Sequence, residues 1–220
     1  MAAERAHTFL FADLAGFTAL TEAHGDEEAA DLAADFFACV RELLPEYGEE
    51  VKTIGDAVMV RCEQVDAAVE LGLRIVEEIG ERSRFPIVRV GMHTGAATER
   101  GGDWFGATVN VAARVSGIAA GGEVLVTDAT RVAAGELEGV DFRHHGLSSF
   151  KNVGEPVEVY RAARRGEEAE GLPVDPVCRM AIDPGKAVGS LNFGGREYFF
   201  CSLECTNSFS SSPEKYARSD

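Results

Sequence analysis

Apolar residues fall into two periods along this chain, short blocks that alternate or run together and longer stretches where they recur every third or fourth position. That change of period predicts where strands give way to helices. The first block, from His7 through Ala12 with Leu14, is a near-continuous apolar run. It predicts a buried strand that delivers Asp13 at its C-terminal end, followed by a turn at Gly16 into a short helix ending near Gly25. Asp26 then offers an N-cap, with Glu27 and Glu28 in the first turn, and Ala29, Leu32, Ala33, Phe36, Phe37, Val40 and Leu44 carry an amphipathic helix. Residues 50–60 read as two short strands rich in β-branched residues, meeting at Gly55-Asp56, a hairpin with an acid at its tip. A second amphipathic helix runs from Val65 to Ile79 and is ended by Pro86. A strand over 87–92, a helix over 107–118 after a Gly-rich loop, a strand over 123–126, and strands over 140–142 and 157–160 complete the pattern. The β-α-α-β-β-α-β order predicts an α+β sandwich with a central hairpin.

Three features of this pattern carry chemistry. Asp13 and Asp56, acids at the ends of two strands, form an oxygen-donor pair suited to hard cations such as Mg²⁺ or Mn²⁺. Lys52 shares strand parity with Ile54 and Asp56, so it stands on a face expected to be apolar, where a charge needs a partner. Asn110 and Arg114 are four apart and project from one face of their helix, an amide beside a guanidinium that suits phosphate recognition. Each feature also has a plain alternative, since Gly-Asp turns are common and an Asn and an Arg often mark a solvated helix face. The surrounding motifs decide between them.

Four stretches resemble, in order and at nearly the family's spacing, the successive motifs of class III nucleotidyl cyclases. They are Phe-x-Asp-x-x-Gly-Phe-Thr over 11–18, Lys-Thr-Ile-Gly-Asp over 52–56, Arg-Val-Gly-Met-His-Thr-Gly over 89–95, and Asp-Trp-Phe-Gly-x-x-Val-Asn-Val-Ala-x-Arg over 103–114. The resemblance covers roughly residues 5–163 and implies a ferredoxin-like core and conversion of ATP to 3′,5′-cyclic AMP and pyrophosphate. It implies that Asp13 and Asp56 hold two Mg²⁺ or Mn²⁺ ions, that Asn110 orients the ribose, and that Arg114 neutralises charge in the transition state. Lys52 and Asp103 would select the base. A lysine donor facing a ring nitrogen and a carboxylate facing an exocyclic amine match adenine, so ATP is expected over GTP. Gly101-Gly102-Asp103 superficially matches the opening of the diguanylate cyclase signature, but Trp104-Phe105-Gly106 does not continue it. Lys151, in a closing segment where Asn152 stands in place of the family's usual Gly, would meet the triphosphate. His93, alone in a strand motif, reads as structural. Because the family builds its site between two catalytic domains and this chain holds both halves of the set, the resemblance implies a homodimer with two equivalent sites.

Composition narrows the partners. The 220 residues, 45% of them hydrophobic, suffice for a proper core and one or two domains. A net charge of -16 argues against nonspecific binding to nucleic acid or to an anionic membrane, and leaves an anionic substrate in need of metal help. With no long apolar run and no signal-peptide pattern, a cytoplasmic location is expected. The five cysteines are split between apparent core positions (Cys39, Cys62) and the tail (Cys178, Cys201, Cys205), which does not suggest a disulfide framework.

The expected division is a catalytic domain over 1–163, a polar linker over 164–174 and a small unit over 175–220. Asp-Pro-Val-Cys-Arg-Met over 175–180, Tyr-Phe-Phe-Cys-Ser-Leu-Glu-Cys over 198–205 and the ending Ser-Pro-Glu-Lys-Tyr over 212–216 resemble a YHS domain, with Arg179 where a Gly is usual. Cys201 and Cys205, at i and i+4, are expected on one helical face, with Cys178 brought in by a hairpin around 192–196. Three thiolates suit Zn²⁺ or Cu⁺, and so short a unit gains from a structural metal. The tail contains no His, so no fourth ligand is evident, and small buried hydrophobes are the competing reading of the three cysteines. Two functions therefore compete: an active cyclase whose tail senses metal or redox state, and a nucleotide-binding scaffold with a metal-handling tail. Within the enzyme class, guanylate cyclase is the second reading.

Overall fold

A computed structural model describes residues 5–46, 48–166 and 172–217. The chain proceeds through β1 (Ala6–Leu14), α1 (Phe17–His24), α2 (Asp26–Leu43), β2 (Gly48–Ile54), β3 (Ala57–Cys62) and α3 (Val65–Gly80). It continues with β4 (Phe85–Pro86), β5 (Val88–Ala96), β6 (Thr98–Arg100), β7 (Asp103–Phe105), α4 (Ala107–Ile118), β8 (Val124–Thr127) and α5 (Asp128–Ala134). After β9 (Val140–Ser148) and β10 (Val157–Arg164) come the tail elements β11 (Met180–Ala181), β12 (Gly189–Phe193), β13 (Arg196–Phe200), α6 (Leu203–Ser211) and α7 (Pro213–Tyr216).

Seven strands form one sheet in the order β2-β3-β1-β5-β8-β10-β9. All its pairings are antiparallel except β5 with β8, which α4 connects as a crossover. β1 lies between β3 and β5 and is buried on both faces, which is why its sequence runs apolar almost without a break. Leu10, Ala12 and Leu14 point into a core closed by α2 and α3, through Phe36, Val40, Val69 and Ile75 among others. Phe9 and Phe11 point the other way, toward Val109 and Ala112 of α4.

The approach of the α4 backbone depends above all on Gly91. A Cβ at Gly91 of β5 would lie 1.9 Å from the backbone nitrogen of Ser116. Gly91→Ala must therefore push α4 off the sheet, and by the usual cost of overpacking it should destabilise the fold by roughly 1–3 kcal/mol or more. Thermal unfolding checks this, and an unchanged midpoint would contradict the close approach.

Several expectations need correction. Gly25 (φ 87°) is the N-cap of α2, and Asp26 is its first helical residue rather than its cap. The acid stays favourable there by facing the positive end of the helix. α3 stops at Gly80, and Pro86 belongs instead to the two-residue β4. The stretch between Ala96 and Gly106 folds as the hairpin β6–β7, and α5 follows β8 where no helix was expected. Lys52 and Ile54 do not occupy an apolar interior: β2 is the edge of the sheet and Ile54 is 52% exposed.

The tail lies against the first domain. β11 pairs with β4, Arg84 N–H donates to the Ala181 carbonyl (2.8 Å), and Asp183 N–H donates to Ser83 Oγ (3.2 Å). Leu20 and Ala29, from α1 and α2, share an apolar cluster with Val177, Met180, Phe200 and Phe209. Part of the expected linker, residues 167–171, lies outside the described residues.

Candidate active site

The acid pair is set by strand register. Asp13, near the end of β1, lies opposite Ala57 of β3 and Arg89 of β5. The β2–β3 hairpin closes through a two-residue turn, Gly55-Asp56, with Gly55 at φ 63°. The Asp56 carboxyl thereby comes within hydrogen-bonding reach of Asp13. Burial first, and then the neighbouring Asp13 carboxyl, push the Asp56 carboxyl up to about 6. Arg89 donates to Asp13 Oδ2 from Nε (2.9 Å) and from Nη2 (2.5 Å). Sequence reasoning gave Arg89 no role, although its place in the 89–95 motif, one strand over from Asp13, was available as a signal. Two crowded carboxylates, one of them held up toward neutral pH, form a donor set that a divalent cation would relieve, so the residues fit Mg²⁺ or Mn²⁺.

A second pair forms at the sheet edge. Lys52 Nζ donates to Asp103 Oδ2 at 2.5 Å, and that bond holds the Asp103 carboxyl below its usual range. The hairpin β6–β7 makes the pairing possible. Gly101 (φ 61°) and Gly102 (φ 80°) form its two-residue turn, a backbone that glycine adopts without strain. Trp104 then anchors the hairpin, packing on Phe9 and His7 and lying under the Arg61 guanidinium (5.2 Å to the ring centroid). Phe105, 51% exposed, stands beside Lys52, whose Nζ is 5.7 Å from its ring centroid. A bulge in β2 between Glu50 and Lys52 fixes which way Lys52 faces.

Asn110 and Arg114 both lie on the exposed side of α4, opposite Val111, Ala112 and Val115. Among the described residues, Arg114 has no hydrogen-bond or ion-pair partner, and neither residue is joined to the acid pair. Lys151 is exposed in the turn before β10. Asn152 beside it has φ 67°, a left-handed conformation that Asn tolerates better than most residues, so the turn keeps the geometry a Gly would give. His93 is half-buried and bonded through Nδ1 to Thr127 Oγ1 at 2.7 Å, and its partial burial lowers its pKa.

The cysteines form a separate cluster. Cys178 Sγ lies 3.4 Å from Cys201 Sγ, which lies 3.7 Å from Cys205 Sγ. Cys201 is not on a helix as expected: Ser202 caps α6, so Cys201 sits one residue before the cap and Cys205 in the first turn. The Cys178 thiol is pushed up, mainly by its hydrogen bond to Cys201, while hydrogen bonds from Cys178 and Cys201 push Cys205 down toward thiolate. Arg179 has φ 69°, which explains why a Gly is usual there.

The family model for the adenylate and guanylate cyclase catalytic domain matches residues 2–161, and that for the YHS domain matches residues 174–219. The chain belongs to the class III adenylate/guanylate cyclase family and carries a YHS domain after its catalytic domain. A pH-sensitive adenylate cyclase of Mycobacterium tuberculosis is 39% identical over 167 residues, covering 74% of this chain and 42% of that protein. An adenylate cyclase of Streptomyces griseus is 33% identical over 176 residues, covering 79% and 44%. This chain thus spans less than half the length of either relative. Among solved structures, a Trypanosoma brucei adenylate cyclase in its monomeric state superposes with a TM-score of 0.67 at 26% identity, covering 75% of this chain and 93% of that one. The same fold appears in the adenylyl cyclase CyaB of P. aeruginosa, with a TM-score of 0.62 at 23% identity, covering 76% and 96%.

Proposed function

We propose that this chain converts ATP to 3′,5′-cyclic AMP and pyrophosphate at sites shared between two copies of itself. The observation that carries this reading is the Lys52–Asp103 pair beside the exposed Ile54 and Phe105. A donor and an acceptor fixed together at an open apolar edge fit the ring nitrogen and exocyclic amine of adenine, whereas guanine offers a carbonyl and an N–H there. In the reaction the ribose 3′-oxygen attacks the α-phosphorus, the bond to the β-phosphate oxygen breaks, pyrophosphate leaves, and the 3′-hydroxyl proton passes to solvent. Asp13 and Asp56 would hold divalent cations, which would supply Lewis acidity to the phosphoryl transfer. Asn110 of the neighbouring copy holds the ribose, and its Arg114 meets the charge that spreads over the phosphoryl oxygens. Lys151 grips the triphosphate, and the YHS domain adjusts activity to metal or redox state.

The test is direct. The purified 220-residue chain with Mn²⁺ should form cyclic AMP from ATP faster than cyclic GMP from GTP, and product should vanish with a chelator. Lys52→Ala, which removes a charge-assisted hydrogen bond to the base, should lower kcat/KM for ATP roughly 10- to 100-fold without moving the unfolding midpoint. Equal turnover of both nucleotides by the wild type would overturn the base assignment, and absence of product with either would overturn the reaction.

A further inference from the structure

The ligand missing from the tail is present in the first domain. His24, the last residue of α1, turns its Nε2 into the cysteine cluster, 3.4 Å from Cys201 Sγ and 4.0 Å from Cys205 Sγ. The four donor atoms of His24, Cys178, Cys201 and Cys205 all lie within 4.8 Å of one another. A tetrahedral zinc ion with ordinary bond lengths requires sulfur–sulfur edges of about 3.8 Å and sulfur–nitrogen edges of about 3.5 Å. The observed sulfur–sulfur separations of 3.4 and 3.7 Å lie just under the first value, and the sulfur–nitrogen separations of 3.4 and 4.0 Å lie on either side of the second.

The surroundings are those of a built metal site. Nδ1 of His24 faces Glu28 Oε1 at 3.6 Å, so a carboxylate in the first turn of α2 orients the ring with Nε2 inward. Asp175 is fully buried, and its carboxylate joins two of the ligand segments. Oδ1 accepts from the N–H of Val177 (2.8 Å) and of Cys178 (3.4 Å), and Oδ2 accepts from the N–H of Cys201 (2.9 Å). His24 also lies at the C-terminal end of α1, where the helix dipole favours a cation. Three thiols packed only as small hydrophobes would not need an imidazole nitrogen aimed at them.

We propose that His24, Cys178, Cys201 and Cys205 form a tetrahedral Zn²⁺ site shared by the two domains, which fastens the YHS domain to α1. This rests on reading the tail as a metal-responsive unit, and it holds whether or not the chain makes cyclic AMP. Its consequence for the active site follows from the chain path. Two residues separate the end of β1 from α1, and the Arg179 side chain lies so close to Gly16 that a Cβ there would be 2.5 Å from Arg179 Cγ. Metal in the tail thus holds the segment that carries Asp13.

Cobalt titration of the reduced, metal-free full chain tests the site. Co²⁺ should bind one per chain, with the intense thiolate charge-transfer and tetrahedral ligand-field bands that an all-oxygen site at Asp13 and Asp56 cannot give, and Zn²⁺ should displace it. His24→Ala should shift those bands and weaken binding by at least about tenfold, a loss no smaller than second-shell changes cause, and added imidazole should restore the spectrum. Cys178→Ser should remove about one third of the charge-transfer intensity, one thiolate of three. In hydrogen exchange, Zn²⁺ should protect 17–24 together with the tail in the wild type, and the tail alone in His24→Ala. No tetrahedral spectrum in the reduced wild type would overturn the proposal. So would an unaltered spectrum and affinity in His24→Ala, circular dichroism matching the wild type showing that this variant is folded. Binding without cyclic AMP formation leaves the site standing and removes the enzymatic reading; cyclic AMP formation without binding does the reverse.

Discussion

Asp13→Ala protein and Arg114→Ala protein, each inactive alone, are expected to regain activity when mixed. Removing Asp13 takes a carboxylate from the cation site, and removing Arg114 takes the guanidinium that meets phosphoryl charge; each loss should cost at least about 10²- to 10³-fold in kcat. Within one chain these groups stand on different elements with no bond between them, Asp13 on β1 and Arg114 on the outer side of α4. If a second copy supplies what the first lacks, a mixed dimer holds one site missing both groups and one site missing neither. Free exchange makes half the dimers mixed, so the mixture should recover about a quarter of wild-type activity. Recovery should depend on subunit exchange and vanish on dilution below the dimer dissociation constant. A mixture that stays inactive while size measurements show mixed dimers would remove the shared site.

The positions of these residues within one chain were readable from the sequence wherever one residue type answered to one local rule. Asp13 was legible because a buried strand ends on it, and Asp56 because Gly-Asp marks a tight turn. The buried face of α4 was legible from its period. The pairing of Lys52 with Asp103 came from the family resemblance, because it depends on a hairpin whose only local mark is Gly101-Gly102 between two three-residue strands. Strands that short show no alternation to read. The role of Arg89 was hidden for a different reason: an Arg in a strand can reach either neighbour, and only the register of β1 with β5 gives it Asp13. His24 was hidden most deeply. It lies 154 positions before Cys178 and ends a helix of another domain, and no local rule joins an imidazole there to thiols in the tail. The departures at Asn152 and Arg179 were visible as changes from family patterns, and their left-handed backbone gives the physical reason those positions favour Gly.

Acid should suppress the proposed cyclisation by competing with the metal that Asp13 and Asp56 would hold, and the transition should centre near the Asp56 value. In the metal-free protein that carboxyl is raised from 3.8 to about 6 by burial and by the Asp13 carboxyl, so its protonated form is favoured in the fold. For a raised carboxyl the associated stability is fully present below the unfolded value near 3.8 and is lost as pH rises through about 6, when two carboxylates are forced together. A divalent cation reverses that balance by taking the proton's place. Above about pH 6 cation binding requires no proton release from Asp56, whereas below it each binding event must expel one. The Mn²⁺ concentration for half-maximal activity should therefore be nearly flat above about pH 6 and rise about tenfold for each pH unit below it. Saturating Mn²⁺ should recover much of the acid-suppressed rate. Asp56→Asn should abolish the proton linkage together with most of the activity, and calorimetry in buffers of different ionisation enthalpy should detect a proton released by the wild type at about pH 5 and none by the variant. A metal requirement that does not change with pH across this range, or one that eases as pH falls, would show that the acid pair is not where the cation binds.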